Sequence, residues 1–194
     1  GTQTGVAPKA TTVAVKVLGA NGSGQWSNLY QAIGQIMQGQ DKVKVISMSL
    51  GGKPDEATRQ ELRRSCQTVI KLGVIPVIAA GNSGSSAGTV GSPGDVPEII
   101  SVGATDKNDV IASFSSRGPV TWDGVSMIKP DVSAPGVNIN SCRHDSNGYR
   151  LMSGTSMATP HVAGVVALMV QANPKLNTEQ AKEILEKTAV DLGT

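Results

Sequence analysis

The chain has 194 residues, 39% of them hydrophobic, 3% aromatic and 16% charged, with a net charge of +2. That length holds one domain with a substantial core and is too short for two ordinary ones; with so few aromatics, the core must be Ala, Val, Ile, Leu and Met packed around abundant Gly. Scattered Lys and Arg argue against a nucleic-acid patch or a polybasic membrane anchor, and no apolar run reaches the length of a membrane span.

Thr12 to Leu18 is rich in β-branched residues and predicts a strand, followed by the loop Gly19-Ala20-Asn21-Gly22-Ser23-Gly24. That loop lacks the Gly-Lys-Ser/Thr ending of a phosphate loop and the spacing of a dinucleotide fingerprint, so nucleotide binding is not favoured. Leu29, Tyr30, Ile33, Ile36 and Met37 recur at helical spacing, with Ser27 as N-cap and Gly39 as stop. Val43 to Leu50 predicts a second strand, ending in Gly51-Gly52. A helix over Asp55 to Leu72 carries Leu62, Cys66, Val69 and Ile70 on one face, with Gly73 past its end. Val74 to Ala80 is a near-continuous apolar run, the pattern of a parallel strand buried on both faces.

Ile99 to Ala104 predicts a fourth strand, followed by a long irregular stretch. Val137 to Ser141 and Tyr149 to Met152, separated by Asp145-Ser146-Asn147-Gly148, predict a hairpin with an Asn-Gly turn. Beyond Gly154-Thr155-Ser156 an Ala/Val/Leu/Met segment predicts a buried helix that ends near Asn173-Pro174. A last helix starts at Asn177 or Thr178 and turns Ala181, Ile184 and Leu185 inward. The alternation of strand and helix over the first hundred residues makes the fold α/β, a mostly parallel sheet flanked by helices.

In such a sheet, ligands bind beyond the C-terminal strand ends. The loops Ser49-Leu50-Gly51-Gly52 and Ala79-Ala80-Gly81-Asn82 leave such ends, and Ser156 opens a helix. Unpaired N–H groups and the positive end of a helix dipole can hold the oxyanion formed when a serine attacks a carbonyl. Alone, Gly-Thr-Ser fits an ordinary N-cap better, and an isolated Asn-Ser-Gly an ordinary turn. The two cysteines, Cys66 and Cys142, make neither a disulfide framework nor a metal site, and no His, Cys and carboxylate cluster has ligand spacing.

The run from Gly154 to Gly164, Gly-Thr-Ser-Met-Ala-Thr-Pro-His-Val-Ala-Gly, resembles the active-serine motif of the subtilisin-like serine proteases, the subtilases. Further blocks in family order are Gly5 to Pro8, Val15 to Gly24, Ser47 to Gly51, Ala79 to Asn82, Phe114 to Pro119 and Pro130 to Gly136, so the resemblance covers nearly the whole chain. It implies a subtilisin-type endopeptidase with Ser156 as nucleophile, and with the Asn82 amide facing the Ser156 N–H across the oxyanion hole. Gly22, Ser23 and Gly24 on one side and Ser49, Leu50 and Gly51 on the other would sandwich the substrate backbone. Trp26, Leu29 and Leu50 would line the pocket for the fourth residue before the scissile bond. Ala79, Ala80 and Gly91 would wall the pocket for the residue just before it, beside Gly81 and Thr155. No acid stands among these, so an apolar side chain is expected there rather than Lys or Arg.

Serine catalysis also needs a base and an acid that orients it. The family's Asp-Ser/Thr-Gly and His-Gly-Thr-His motifs are absent from these residues. His161 holds the family's Pro-His position, which is not the catalytic one, and His144 lies in a polar turn; neither fits the base. The expectation is therefore that residues 1–194 form the central to C-terminal part of one protease domain, short of an early sheet strand. It should be inactive alone and completed by a second chain or segment carrying the Asp and His. Two other readings stay open: a non-catalytic peptide-binding or regulatory module, and a structural interaction domain. The resemblance further implies a peptide or protein substrate, secretion with intracellular members also known, and no cofactor for the chemistry. It implies structural calcium too, with a weaker cation site formed by carbonyls of Gly94 to Ile99 and by Asp131.

Overall fold

The computed structural model describes residues 4–38 and 43–192. In chain order its elements are α1 (Trp26–Gln38), β1 (Val45–Met48), α2 (Glu56–Lys71), β2 (Ile75–Ala79), β3 (Ile100–Thr105), β4 (Val120–Trp122), β5 (Val125–Met127), β6 (Val132–Pro135), β7 (Ile139–Cys142), β8 (Tyr149–Met152), α3 (Thr155–Ala172) and α4 (Thr178–Thr188). The main sheet runs β1-β2-β3-β6 with every pairing parallel.

Side chains on a strand alternate between faces, and here both faces are covered. Ile75 and Val77 of β2 join Ile100, Val102 and Ala104 of β3 beneath Ala158, Val162 and Val166 of α3. Ile78 points the other way, into a second core with Leu29 and Ile33 of α1 and Leu62, Cys66 and Val69 of α2. Hence β2 reads as an unbroken apolar run; Val77 and Ile78 are both fully buried, and each such side chain contributes about 1.5–3 kcal/mol. Asp55 caps α2 by accepting from the Thr58 N–H at 2.8 Å, and Gly73 follows that helix at φ +79°. Asn177 and Gln180 close a reciprocal capping box on α4.

Several expectations are corrected. Thr12 to Leu18 forms no strand: Val13 and Val15 are exposed and no described strand lies beside them. β-branched residues favour extended backbone, but a strand exists only with a neighbour to bond. Ser27 lies inside α1 rather than at its cap, and Gly39 falls outside the described residues. Ile184 is 43% exposed, whereas Ala181 is buried. The β7–β8 hairpin closes by an Arg143 N–H to Gly148 carbonyl bond of 3.0 Å, with Arg143 paired to Asp145. Asn147 and Gly148 lack the positive φ of a two-residue Asn-Gly turn.

That turn chemistry occurs elsewhere. Asp123 (φ 51°) and Gly124 (φ 78°) join β4 to β5 inside the stretch expected to be irregular. The hairpin is held by Trp122, which is 2% exposed, donates from Nε1 to the Asp95 carbonyl at 2.7 Å and lies 3.7 Å from the Arg59 guanidinium. Among the described strands β1 bonds only β2, so its other edge is unpaired.

Candidate active site

Because β1 and β2 are parallel neighbours, the loops after Met48 and Ala79 emerge at the same end of the sheet, where α3 begins. Between them lies a cleft of about 610 Å³. Its walls include all fifteen residues singled out from the sequence: Gly22, Ser23, Gly24, Trp26, Leu29, Ser49, Leu50, Gly51, Ala79, Ala80, Gly81, Asn82, Gly91, Thr155 and Ser156. Val17, Leu18, Gln25, Gly52, Lys53 and Ser83 line it too. These six come from the same loops and were reachable as sequence neighbours of the residues chosen.

The centre of the cleft is the start of α3. Asn82 Oδ1 accepts two hydrogen bonds from Thr155, from the backbone N–H at 2.9 Å and from Oγ1 at 3.0 Å. Thr155 Oγ1 in turn accepts from the Gly81 N–H at 3.2 Å. With its oxygen committed, the Asn82 amide must present Nδ2 outward, and Nδ2 has no partner among the described residues. A Cβ placed on Gly154 would lie 3.4 Å from Asn82 Nδ2 and 3.6 Å from the Ser156 nitrogen, so both donors border the same small space. The Ser156 N–H belongs to the first turn of α3, where intrahelical partners are lacking.

Pro160 explains how the other side of Ser156 is held. It stands four residues after Ser156 inside α3 and has no N–H to give back to the Ser156 carbonyl. Ser49 Oγ takes that place, donating to the Ser156 carbonyl at 2.8 Å, so the loop after β1 is stitched to the Ser156 backbone. Ser156 Oγ itself lies 3.5 Å from the Ser49 carbonyl, at the outer limit of a hydrogen bond. The hydroxyl is thus weakly engaged. Neither histidine lines the cleft; His161 Nδ1 lies 2.8 Å from the Met157 carbonyl of its own helix.

The other walls are fixed by close backbone approach. Gly52 and Ser92 exchange two bonds of 2.9 Å, which ties the β1 loop to the segment carrying Gly91. A Cβ on Gly91 would sit 3.0 Å from the Gly52 carbonyl oxygen, and one on Gly24 2.6 Å from that of Val17. Gly81, at φ +110°, takes a conformation that favours glycine. Its carbonyl accepts from the Ser116 N–H, and Ser116 Oγ accepts from the Ser83 N–H, both at 3.0 Å. Ser116, outside the residues chosen from sequence, thereby holds the Asn82 loop; its block was recognisable, its role was not.

Both cysteines are free. Burial, reinforced by the Glu98 and Asp95 charges, pushes the Cys66 thiol up to about 12, which leaves it protonated and inert.

The expected cation site does not fit a metal ion. Asp131 Oδ2 accepts from Lys129 Nζ at 2.7 Å and from the Ser101 N–H at 2.7 Å, and Oδ1 pairs with Lys182 Nζ at 2.7 Å. The carbonyls of Ile99 and Pro97 accept from Lys129 Nζ at 3.0 and 3.4 Å, and Pro97 also from Lys182 Nζ at 3.2 Å. Asp131 and the carbonyls of Pro97 and Ile99 are thus spent on two ammonium groups of the chain itself. Among the described residues no group of three or more His, Cys, Asp or Glu side chains gathers to hold a metal, and no helix is long and apolar enough to cross a membrane.

Comparison with known proteins identifies the family of the chain. The Subtilase family model, Peptidase_S8, matches residues 1–194. The chain is 38% identical over 210 residues to serine protease AprX of Bacillus subtilis (strain 168), covering 94% of this chain and 47% of that protein. It is 42% identical over 190 residues to subtilisin Savinase of Lederbergia lenta, covering 98% and 64%. Among solved structures, a cold adapted subtilisin-like serine proteinase superposes with a TM-score of 0.80 at 38% identity, covering 95% of this chain and 62% of that one. The chain thus spans roughly half to two thirds of the length of these relatives.

Proposed function

The chain belongs to the subtilase family, and we propose that it is the nucleophile-bearing part of a serine endopeptidase. In this reading the carbonyl of an extended peptide lies over Gly154. Ser156 Oγ attacks the carbonyl carbon while a histidine supplied from outside these 194 residues takes its proton. The carbonyl π electrons move onto oxygen, where the Asn82 Nδ2–H and the Ser156 N–H receive the charge. Collapse expels the amine, which leaves with the proton from the histidine, and water then releases the acyl group from Ser156 by the same steps in reverse.

The observation that carries the reading is the pair of hydrogen bonds that Thr155 donates to Asn82 Oδ1. It spends the amide's acceptor and aims its donor at the space beside Ser156, which a turn residue would not need. The base and its orienting acid come from a further segment, and the unpaired edge of β1 is where that segment docks. Secretion is the location that goes with this role.

Treating the full-length polypeptide, including the segment with the Asp and His, with a fluorophosphonate is expected to add one phosphonyl group to the Ser156 peptide. The Ser156→Ala protein should take up none. An active full-length protein labelled elsewhere, or a Ser156→Ala protein that still hydrolyses peptides, overturns the proposal; a protein that binds peptides tightly without labelling would favour the non-catalytic reading.

Specificity follows from the walls. Ala79 and Ala80 are buried, and among the described residues no acid lines the cleft. In a fluorogenic peptide library the enzyme is expected to prefer an apolar residue just before the scissile bond, and a strong preference there for Lys or Arg contradicts this assignment.

A further inference from the structure

Among the described residues Lys53 is the only charged one that lines the cleft. Its side chain has neither an ion pair nor a hydrogen bond among the described residues. The acids nearest in sequence are committed elsewhere. Asp55 Oδ1 accepts from the Thr58 N–H at 2.8 Å as the cap of α2. Glu56 accepts from Gln60 Nε2 at 2.7 Å and pairs with Arg59 at 3.5 Å.

The backbone beneath Lys53 is anchored on both sides. Gly52 is bonded twice to Ser92, and Pro54 restricts the residue before it to extended conformations. Trp26 packs against Gly52 so closely that a Cβ there would stand 3.2 Å from Cζ2 of the indole. Lys53 thus follows directly on the residue that Trp26 covers, and both line the cleft, Trp26 in the part assigned to the fourth residue before the scissile bond.

We infer that Lys53 is a specificity-determining residue that selects substrates with Asp or Glu at the fourth or fifth position before the scissile bond. The inference rests on the reading of this cleft as a protease's substrate groove. With no counter-charge bound to it among the described residues, Lys53 is free to attract an acidic side chain of the substrate and repel Lys or Arg. Lys53 is exposed, so the gain is that of a solvated ion pair, about two- to fivefold in kcat/KM, and is screened by salt.

The test uses the full-length enzyme and fixed-sequence fluorogenic peptides differing only in Glu, Gln or Lys at those two positions. Wild type is expected to favour Glu over Gln by about two- to fivefold at low ionic strength, with the ratio shrinking toward one in roughly 1 M salt. Lys53→Gln should abolish the ratio, and Lys53→Glu should reverse the order of Glu and Lys. A wild-type ratio of one, or a ratio that survives in Lys53→Gln, overturns the inference while leaving the protease reading intact. Failure to cleave any of the peptides overturns the protease reading itself, and this inference with it.

Discussion

Replacing Asn82 by Ala in the full-length enzyme is expected to lower kcat by about 10²–10³-fold with little change in KM, a magnitude borrowed from subtilisin itself. The ground-state carbonyl asks little of the amide, whereas the oxyanion asks a great deal, so the loss belongs to the transition state and not to binding. Asn82→Asp sharpens the argument. An Asp side chain still offers an oxygen to the Thr155 N–H and hydroxyl, which now hold Oδ1 at 2.9 and 3.0 Å. It replaces the donor with a second, negatively charged oxygen, facing the place where negative charge develops. This near-isosteric change should therefore be slower than Asn82→Ala, the opposite of what a merely structural role would give. Thr155→Val removes one of the two bonds and the acceptor for the Gly81 N–H; with a hydrogen bond worth about 0.5–1.5 kcal/mol, it should lower kcat by about two- to tenfold. Steady-state kinetics on the three variants checks the series, and an Asn82→Asp enzyme as fast as wild type removes the amide from the mechanism.

The parts that could be read from residue order are those whose cause is local or periodic. The unbroken apolar run of β2 announced burial on both faces, and Gly154-Thr155-Ser156 before an apolar segment announced the start of α3. Asn82 could be named as a donor by resemblance, but its orientation depends on Thr155, which lies 73 positions away. The Thr12 to Leu18 error has the same root, because a strand is a relation between two segments and only one was visible. The β4–β5 hairpin differs, since Asp123-Gly124 between Val-Thr-Trp and Val-Ser-Met is a short-range turn signal legible in the sequence itself. Lys53 and Lys129 show how far a charged residue's meaning depends on its surroundings. By type both are surface residues, yet one stands alone in a cleft and the other is buried.

Asp131→Asn is expected to destabilise the folded protein by about 3–5 kcal/mol at pH 7. The side chains of Lys129 and Asp131 are 0% and 2% exposed, so water cannot replace what the pair supplies. Asn fills the same space but leaves two ammonium groups, Lys129 and Lys182, without the carboxylate that now lies 2.7 Å from each. Lys129→Met should cost distinctly less, because it removes the buried charge itself and leaves Asp131 bonded to Lys182 and to the Ser101 N–H. The pH dependence has a defined sign. Burial pulls Lys129 down from 10.5 to about 8 against the opposing pull of Asp131. Between those values the unfolded chain binds more protons than the folded one, so this residue adds stability as pH rises from about 8 to 10.5. Without the carboxylate the folded Lys129 loses its proton at still lower pH, and the deficit of Asp131→Asn should narrow as pH rises through neutrality. Urea unfolding of wild type and both variants at pH 6, 7.5 and 9 would show it. Equal costs for Asp131→Asn and Lys129→Met, or a deficit independent of pH, would mean that the two ammonium groups do not depend on Asp131 for their burial.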